Sequence, residues 1–325
     1  MKQLLVVCGP TATGKTSLAL HLSKVFNGEI VSADSRQVYK GMNIGTGKDL
    51  PRNVKNQMSN VKSDGKKICF YEINGIKIWG YDLVDPKEEF SVAQYIKIAR
   101  NIIDDIWKRG KLPILVGGTG LYIKGVVDGI PTATIPKNEK LRRSLKEKAP
   151  EELFEILAVS DPVKAASMNA SDRKNPRRLV RAIEIAKFKL SGKSTTMIRP
   201  NEAERNISFI GLTAPKEILF ERIEARVNRR IKSGLEGEIK DLISQGVSWT
   251  NHSMNTLGYR EWKDYFRGKK SKNEVIQEWI KDEKNYAKRQ ITWFKKDKRI
   301  NWFDVSEEKW QERVEEYIRK WYKVR

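Results

Sequence analysis

The stretch that decides the fold is Gly9-Pro10-Thr11-Ala12-Thr13-Gly14-Lys15-Thr16, which has the pattern G-x-x-x-x-G-K-T. Leu4–Cys8 before it is a short apolar run of the kind that forms a buried parallel strand. The apolar residues after it recur at helical spacing and predict a helix that begins near Lys15. A strand, a glycine-rich turn and a helix N-terminus in this order predict a phosphate-binding loop.

Each part of this loop suits an anion. Gly9 and Gly14 permit backbone conformations that a Cβ would forbid, so amide groups can converge on phosphate oxygens. The helix N-terminus adds a partial positive charge and Lys15 adds a full one. The Thr16 hydroxyl can bind a Mg²⁺ ion that the phosphates share. These residues leave open whether the phosphates belong to a nucleotide or to another diphosphate.

The composition indicates a polyanionic partner. The 325 residues give room for roughly two domains, or for one domain with a large insertion. The net charge of +22 is matched most simply by nucleic acid, although an anionic membrane or a basic proteome also accounts for it. Cys8 and Cys69 are too few for a disulfide framework or a zinc cluster. With no signal peptide and no apolar run of about 18 residues, we expect a cytoplasmic protein without a membrane segment.

Two further strands are predicted to end at the same edge of the sheet as the loop. Glu29–Asp34 has the pattern of a strand that ends in a carboxylate, and Pro113–Val116 that of a buried strand followed by a Gly-Gly-Thr turn. In open α/β sheets, ligands bind outside the carboxyl ends of the strands. Asp34 is therefore expected beside the loop as a general base or metal ligand. Thr119 would offer a hydroxyl in the same crevice, although a plain glycine turn explains that segment equally well.

The segments between these strands carry local signals. Residues 51–67 are polar and without periodicity, and we predict a loop there. Phe70–Trp79 has Asn74-Gly75 at the centre of alternating residues, which is the signal of a β-hairpin. Ser91–Gln94 matches a capping box, and the apolar residues after it predict a helix that stops at Gly110.

Residues 131–205 are rich in charged helical patterns, which predicts an inserted helical subdomain. Asn175-Pro176 supplies an N-cap and a proline at the first helical position. The apolar face of that helix comprises Leu179, Ile183, Ala186 and Leu190. Another side carries Arg177, Arg178 and Arg181 without a matching acidic row, and it is either a solvated face or a surface for a polyanion.

The last third returns to the sheet and then becomes helical and basic. Ser208–Leu212 is predicted to be a strand, and the next helix carries Arg222, Arg226 and Arg230 at intervals of four residues. These arginines can meet a diphosphate or pair with Glu221, Glu224 and Glu238. Asn285–Lys296 mixes cations with aromatic residues, as in proteins that bind single-stranded RNA loops, although its rings can also belong to the core.

Together these elements predict an α/β fold: a P-loop NTPase-like parallel sheet core with an inserted helical subdomain and a helical, basic C-terminal part. The first part of the core is predicted at 1–130, with an expanded loop and hairpin at 47–84. The insertion follows at 131–205, and the completed core with the C-terminal helices at 206–325. We find no internal repeat and no low-complexity tract.

Nine segments resemble the tRNA dimethylallyltransferase family, also called tRNA isopentenyltransferases, in its bacterial type. Outside the phosphate loop each segment alone is weakly specific, whereas their colinear order along nearly the whole chain is highly specific. The segments are GPTATGKT (9–16), SADSRQVYKGMNIGT (32–46), FSVAQY (90–95), VGGTGLY (116–122), NPRRLVRAIE (175–184), IGLTAP (210–215), ERIEARV (221–227), LGYREW (257–262) and YAKRQITWFKKDKRINWFD (286–304).

The resemblance implies that the loop binds dimethylallyl diphosphate rather than ATP. The dimethylallyl group would pass to N6 of the adenosine immediately 3′ of the tRNA anticodon, giving N6-dimethylallyladenosine. Asp34 would be the base that takes the proton from the amine. Lys15, Arg226 and Mg²⁺ bound through Thr16 would hold the charge of the leaving diphosphate. Thr11 and Thr119 would place hydroxyls around the bridging oxygen and the base.

The resemblance also implies contacts with the anticodon stem-loop of tRNA. The target base must leave its stack, as enzymes that act on bases require. Arg142 looks like the family's basic residue at the start of the insertion. The other implied contacts are Asp34, Ser35, Arg36, Gln37, Thr119, Arg177, Arg178, Leu179, Val180, Arg181, Asn255, Thr256, Leu257, Gly258, Tyr259, Arg260, Lys288, Arg289, Gln290, Ile291, Thr292, Trp293, Phe294 and Lys295.

Two departures from the family pattern leave the core motifs intact. The link between the second and third segments is expanded here into 47–84. Trp79-Gly80-Tyr81 stands where relatives often carry histidines. The chain also ends soon after the ninth segment, without the C-terminal zinc finger of eukaryotic relatives, which favours a bacterial-type, monomeric enzyme.

Two other functions fit some of the same residues. A P-loop kinase for a small molecule would place ATP in the loop, but it needs an acidic strand end for its metal, and Pro113–Val116 ends in glycines. An ATP-switched RNA-binding module accounts for the charge and for residues 288–295, but it gives Asp34 and Thr119 no task. Residual ATP binding by the loop stays open at this point.

Overall fold

The computed structural model describes residues 2–51, 54–192 and 205–322. These residues form two compact units, one of Met1–Val127 with Asn201–Arg325 and one of Asp128–Pro200. The first unit contains a β-sheet and helices, and the second is helical within its described part. The α/β fold predicted from the sequence is confirmed.

Eight strands make up the sheet: β1 (Lys2–Cys8), β2 (Gly28–Ser32), β3 (Asn56–Ser63), β4 (Lys66–Ile73), β5 (Ile76–Trp79), β6 (Leu112–Gly117), β7 (Arg205–Thr213) and β8 (Ile300–Asp304). They lie in the order β3-β4-β5-β2-β6-β1-β7-β8. β4 runs antiparallel to both of its neighbours. The other neighbouring strands run parallel, which gives the parallel core that the sequence predicts.

The described helices are α1 (Lys15–Val25), α2 (Val92–Lys108), α3 (Gly120–Val127), α4 (Glu139–Leu145), α5 (Pro150–Ser160), α6 (Pro162–Ala166), α7 (Ala170–Arg173), α8 (Pro176–Leu190), α9 (Lys216–Lys232), α10 (Leu235–Ser244), α11 (Lys272–Phe294) and α12 (Trp310–Trp321). Two short 3₁₀ turns lie at His252–Asn255 and Arg260–Lys263. Within the described ranges, no helix is both long enough and apolar enough to cross a membrane.

Helices cover both faces of the sheet, which explains the uninterrupted apolar run of β1. Leu4 and Val6 pack into the cluster that includes side chains of α2, α3 and α11. Leu5 and Val7 pack on the other face with α1 and α12. Successive side chains of a strand point to opposite faces, so a strand covered on both sides is apolar throughout. The loop after β1 therefore starts from the buried end of the strand.

Three local predictions are confirmed. The helix after the phosphate loop begins at Lys15. Ser91 and Gln94 form both hydrogen bonds of a capping box at the start of α2. Asn74 and Gly75, with φ angles of 52° and 77°, make the turn between β4 and β5. Each rests on residues that are close in sequence, where local signals are strongest.

The prediction of a loop at 51–67 is wrong, because β3 and the first residues of β4 lie there. β3 is the edge strand of the sheet and most of its side chains are exposed, so it lacks the alternation of a half-buried strand. Asp64 and Gly65, with φ angles of 50° and 76°, form the turn of this second hairpin. An Asp-Gly pair is a hairpin signal, and it is the feature that could have identified both strands.

The unit of Asp128–Pro200 has a core of its own, to which α4, α5, α6 and α8 contribute side chains. Leu153, Leu157 and Ile183 are among its fully buried side chains. α8 begins as predicted, because the Asn175 side chain accepts a hydrogen bond from the Arg178 amide at 3.3 Å. Placing Leu190 on the apolar face is wrong: its side chain is 72% exposed. Leu190 is the last residue of α8, beyond the turns that pack.

Candidate active site

The loop between β1 and α1 folds around its own Pro10 carbonyl oxygen. Thr13 Oγ1 donates a hydrogen bond to this oxygen at 2.9 Å and Lys15 Nζ donates at 2.6 Å. Gly9 has a φ of 135°, and a Cβ there would lie 2.3 Å from the carbonyl oxygen of Leu212 in β7. The neighbouring strand therefore requires glycine at this position. The first turn of α1 follows directly, with the amide groups that make helix N-termini bind anions.

The Lys15 ammonium group lies where positive charge exceeds negative charge. The pKa of Lys15 is lowered to about 8, first by burial and then by the positive charge of Arg226, against the opposing effect of Asp34. A bound anion would favour the protonated form of Lys15. The loop is thus prepared electrostatically for an anionic ligand.

A cavity of about 660 Å³ opens beside this loop, at the carboxyl ends of β1, β2 and β6. Ligands are expected at this edge of a parallel sheet. The cavity is lined by many of the residues that the sequence singled out: Thr11, Ala12, Gly14, Lys15, Thr16, Asp34, Ser35, Arg36, Gln37, Arg226, Asn255, Thr256, Leu257, Arg260, Arg289 and Gln290.

Arg226 of α9 reaches from the side of the cavity to the phosphate loop. Its Nη1 donates a hydrogen bond to Thr11 Oγ1 at 2.7 Å. Its Nη2 lies 3.6 Å from the carboxylate of Asp49, which is 64% exposed and also lines the cavity. Asp49 was not singled out from the sequence, since nothing in the polar stretch around it indicates a contact with a helix far along the chain. Arg226 therefore adjoins both the loop and a competing carboxylate.

Arg230, one turn further along α9, is held inside the protein. Its Nη1 donates to the Gly45 carbonyl oxygen at 3.0 Å and lies 3.4 Å from Glu283. The pKa of Arg230 is lowered to about 10, first by burial and then by Arg226. Glu238 instead accepts hydrogen bonds from the amides of Asn43, Ile44 and Gly45. All three arginines of this row line the cavity, and among the described residues none of them forms an ion pair with Glu221, Glu224 or Glu238.

Asp34 and Thr119 lie at the ends of β2 and β6. The Arg36 amide donates to Asp34 Oδ1 at 2.8 Å, which fixes the carboxylate in a tight turn. Thr119 Oγ1 accepts a hydrogen bond from the Ser35 amide at 3.1 Å. Tyr286 of α11 also lines the cavity, and burial raises the pKa of Tyr286, with the Asp34 charge adding to the effect. The sequence did not assign Tyr286 a role.

Gln290 ties the phosphate loop to the end of β6. Its Oε1 accepts a hydrogen bond from the Thr11 amide at 2.9 Å, and its Nε2 donates to the Gly118 carbonyl oxygen at 2.9 Å. A Cβ at Gly118 would lie 2.1 Å from that Nε2, so the glycine turn leaves room for this side chain. Gln290 was expected as a tRNA contact; its side chain is buried, is hydrogen-bonded to the protein and lines the cavity.

The remaining expected tRNA contacts of the first unit differ in exposure. Lys288, Thr292, Trp293 and Lys295 are exposed, and Ile291 is half-buried. Gly258, Tyr259 and Phe294 are buried. Tyr259 donates a hydrogen bond from its hydroxyl to Glu238 Oε1 at 2.5 Å. The buried residues therefore lie beneath the expected tRNA-binding surface, and the exposed residues form that surface.

In the unit of Asp128–Pro200, part of the expected basic face is neutralised. Arg142 donates to both oxygens of Glu184, at 2.7 and 2.8 Å, and Arg181 Nη1 donates at 3.1 Å. Burial alone would raise the pKa of Glu184, but these hydrogen bonds lower it to about 2. Arg178 pairs with Asp172. The expectation that these arginines lack acidic counterparts is therefore wrong.

Within that unit, the exposed and buried residues of α8 can be told apart. Arg177 and Arg178 are exposed and Val180 is half-buried. Leu179 is fully buried in the core of the unit, so a contact with RNA would fall to its neighbours.

The sequence predicts that Thr16 binds a metal ion. No group of three or more histidine, cysteine, aspartate or glutamate residues suited to a metal occurs in the described parts of the chain. Mg²⁺ often keeps water ligands and binds through substrate phosphates with few protein groups. The Thr16 hydroxyl lines the cavity at the start of α1, where such an ion would meet a diphosphate. These protein groups therefore suit a Mg²⁺ ion that is bound mainly by the phosphates of the substrate and by water.

The family model described as IPP transferase matches residues 37–297, and one described as isopentenyl transferase matches residues 2–60. The tRNA dimethylallyltransferase of Anoxybacillus flavithermus is 38% identical, over 98% of this chain and 95% of its own. The enzyme of that name from Thermoanaerobacter sp. is also 38% identical, over 98% and 97%. Both relatives are therefore similar to this chain from end to end.

Solved structures give the same result for the fold. The tRNA isopentenylpyrophosphate transferase of Bacillus halodurans has a TM-score of 0.69 at 33% identity, covering 98% of this chain and 96% of its own. The tRNA isopentenylpyrophosphate transferase of Staphylococcus epidermidis has a TM-score of 0.66 at 31% identity, covering 98% and 100%. A eukaryotic dimethylallyltransferase acting on tRNA shares the fold, with a TM-score of 0.74 at 24% identity, over 98% and 78%.

Proposed function

Since the chain belongs to the IPP transferase family, we propose that it transfers a dimethylallyl group from dimethylallyl diphosphate to tRNA. The acceptor is N6 of the adenosine immediately 3′ of the anticodon, and the product is N6-dimethylallyladenosine. One observation carries this proposal: a single cavity is lined by a phosphate loop, by Arg226 and by the carboxylate of Asp34. A diphosphate leaving group and a general base are the two groups that alkylation of an amine requires.

The donor binds through its diphosphate. The loop amides and the Lys15 ammonium group would hold its oxygens, as in other phosphate loops. Arg226 is already hydrogen-bonded to Thr11, so its guanidinium group is oriented before the donor arrives. As the allylic carbon–oxygen bond breaks, negative charge grows on the diphosphate, and these fixed cations stabilise it.

The acceptor amine reaches the donor from the side of Asp34. A bond forms between N6 and the allylic carbon, while the electron pair of the breaking carbon–oxygen bond goes to the diphosphate. The proton of N6 passes to the Asp34 carboxylate, which the Arg36 amide holds in place. Thr119 Oγ1 accepts a hydrogen bond from the Ser35 amide next to this carboxylate, and Tyr286, which lines the cavity, is kept neutral by its raised pKa. Thr119 thereby holds the turn that carries the base.

We further propose that Thr16 binds the Mg²⁺ ion that accompanies the donor. Bound there, Mg²⁺ would supply charge neutralisation to the diphosphate. A kinase-like use of ATP is less well supported, because β6, the neighbour of β1, ends in Gly117 and Gly118 rather than in an acidic residue. The phosphate loop, Asp34 and the arginines all belong to one compact unit of one chain, which supports a monomeric enzyme. A tRNA substrate supports a cytoplasmic location for the enzyme.

The test uses a donor labelled in its dimethylallyl group, unmodified tRNA and Mg²⁺. We expect the label to enter tRNA, and we expect no transfer from ATP labelled in its phosphates. Arg226→Ala should reduce the rate, because one cation beside the diphosphate is lost. Arg313→Ala, which removes an exposed arginine paired with Glu307 on the surface, serves as the control and should leave the rate unchanged. Phosphate transfer from ATP without prenyl transfer would refute the proposal.

A further inference from the structure

Three lysine side chains surround the ring of Phe220 on the outer surface of α9 and α11. The ammonium groups of Lys216, Lys284 and Lys288 lie 5.6, 5.5 and 5.5 Å from the ring centroid. Lys216 comes from α9, and the other two are one turn apart on α11. Because all three distances run to one point, no two of the ammonium groups are more than about 11 Å apart. We call these three lysines the Phe220 lysine cluster.

The ring at the centre of this cluster is fixed next to the phosphate loop. Phe220 packs against the small apolar cluster formed by Leu219, Ile223 and Ala287, which also contacts Ala12 of the loop. A ring held by two helices gives the lysines a defined position despite their flexible side chains. The cations are therefore placed close to the loop that would hold the donor.

The positive charge of the cluster is only partly balanced. Glu224 lies 3.3 Å from Lys284 and is 52% exposed. Among the described residues, this is the one ion pair that reaches the cluster. Like charges in a confined space repel one another, and an anion that bridges them removes that repulsion. Two positive charges in excess suit a phosphate group.

The cluster lies beside the cavity and not in its walls. Arg222 and Arg289, on the same two helices, line the cavity, whereas the three lysines and Phe220 are absent from its described lining. A small donor bound by the loop would not need cations outside the cavity. A polynucleotide that inserts one base into the cavity continues past the rim, and it carries a phosphate at every step.

We propose that the Phe220 lysine cluster binds a backbone phosphate of tRNA close to the nucleotide that enters the cavity. Of the three lysines, the sequence pointed to Lys288 alone, and Lys216 and Lys284 are new. Lysines bind phosphates as point charges without reading the base, so the contact positions the RNA and does not select its sequence. This inference rests on the proposed prenyl transfer to tRNA.

The test replaces all three lysines with glutamine in the full-length protein and measures tRNA binding by fluorescence anisotropy at several salt concentrations. We expect the Kd for tRNA to rise about tenfold near physiological salt, and the slope of log Kd against log salt to fall by about one. The KM for dimethylallyl diphosphate should stay unchanged. The matched control replaces Lys62, Lys66 and Lys67, which are exposed on the hairpin at the other edge of the sheet, and should change the Kd much less.

Two further outcomes separate this inference from the proposed function. Glu224→Gln should tighten tRNA binding, because the competing carboxylate is removed. An equal loss of tRNA affinity in both triple variants would overturn the inference. A higher KM for dimethylallyl diphosphate with an unchanged Kd for tRNA would overturn it as well. If the unchanged protein binds tRNA but never prenylates it, the proposed function fails, and the binding comparison still decides whether the cluster holds a phosphate.

Discussion

At the scale of single residues, the behaviour of the cavity depends on two cations whose surroundings change when the donor binds. Lys15 has its pKa lowered to about 8, and Arg226 lies between Thr11 and the Asp49 carboxylate. A diphosphate would change both situations, because it favours protonated Lys15 and competes with Asp49 for Arg226. Both effects can be measured as donor affinity.

The first prediction concerns pH. In the free enzyme, Lys15 loses its proton as the pH rises through about 8. Donor binding favours the protonated form, so above this pH the enzyme must take up a proton to bind, and the donor KM should rise with pH. The effect should approach tenfold per pH unit well above pH 8. The Lys15→Arg variant should lose this dependence, and a KM that stays constant up to about pH 9.5 would contradict the assignment.

The second prediction concerns Asp49. Asp49→Asn removes the carboxylate 3.6 Å from Arg226, so the donor and the diphosphate product should both bind several-fold more tightly. Steady-state KM for the donor and inhibition by diphosphate measure this. Asp64→Asn is the matched control, because Asp64 also has a left-handed backbone and lies in the exposed turn between β3 and β4. Weaker donor binding by the Asp49 variant would show that this carboxylate assists the site.

The sequence identified many site residues but not the contacts between them. The loop pattern and the carboxylate after β2 are local features, and they led to Lys15, Thr16 and Asp34. Gln290 is 279 positions from Thr11, and no local signal relates them. Asp49 and Arg226 are also far apart in the sequence, and only the fold brings them within 3.6 Å of each other. Such pairs become visible only when the helices are placed beside the sheet.

At the scale of elements, the hairpin of β4 and β5 supports the segment that forms one wall of the cavity. Lys48 is fully buried; its ammonium group donates to the Tyr39 carbonyl oxygen at 2.8 Å and to Asn43 Oδ1 at 2.9 Å, and it pairs with Asp82. Asp82, just after β5, also accepts the Tyr71 hydroxyl of β4. The expanded region is therefore bound to the cavity wall through a buried ion pair.

The third prediction follows from this pair. Asp82→Asn leaves the Lys48 charge buried without its counter-ion, and loss of one partner of a buried pair costs about 3–5 kcal/mol. Denaturant unfolding should show a loss of this order. Asp104→Asn, at a half-exposed pair with Lys2, should change the free energy of unfolding by less than about 0.5 kcal/mol. An equally small loss of unfolding free energy in both variants would mean that the Lys48–Asp82 pair does not hold the hairpin.

Among the elements, those with strong local signals were predicted and the edge strand was not. The hairpin at Asn74-Gly75 and the capping box at Ser91 depend on neighbouring residues. β3 has a polar sequence because its side chains face solvent at the edge of the sheet. Its pairing with β4 depends on the Asp64-Gly65 turn, a short signal in a stretch without periodicity.

At the scale of the whole molecule, the net charge of +22 is not spread evenly over groups that are open to a partner. Arg142, Arg181 and Arg230 are bound to carboxylates inside their units. Other cations, such as the Phe220 lysine cluster, are on the surface. The total charge indicated a polyanion, but the fold decides which cations meet it. A sequence alone could not make that distinction.

The central claim is that one cavity holds a prenyl donor and the Asp34 base. The most direct measurement is mass spectrometry of nucleosides from tRNA incubated with dimethylallyl diphosphate, Mg²⁺ and either the unchanged protein or Asp34→Asn. The asparagine keeps the oxygen that accepts the Arg36 amide and removes the base. We predict adenosine heavier by one dimethylallyl group with the unchanged protein, formed on the order of a hundredfold more slowly with the variant. Absence of this nucleoside with the unchanged protein, or equal rates for both proteins, would contradict the account.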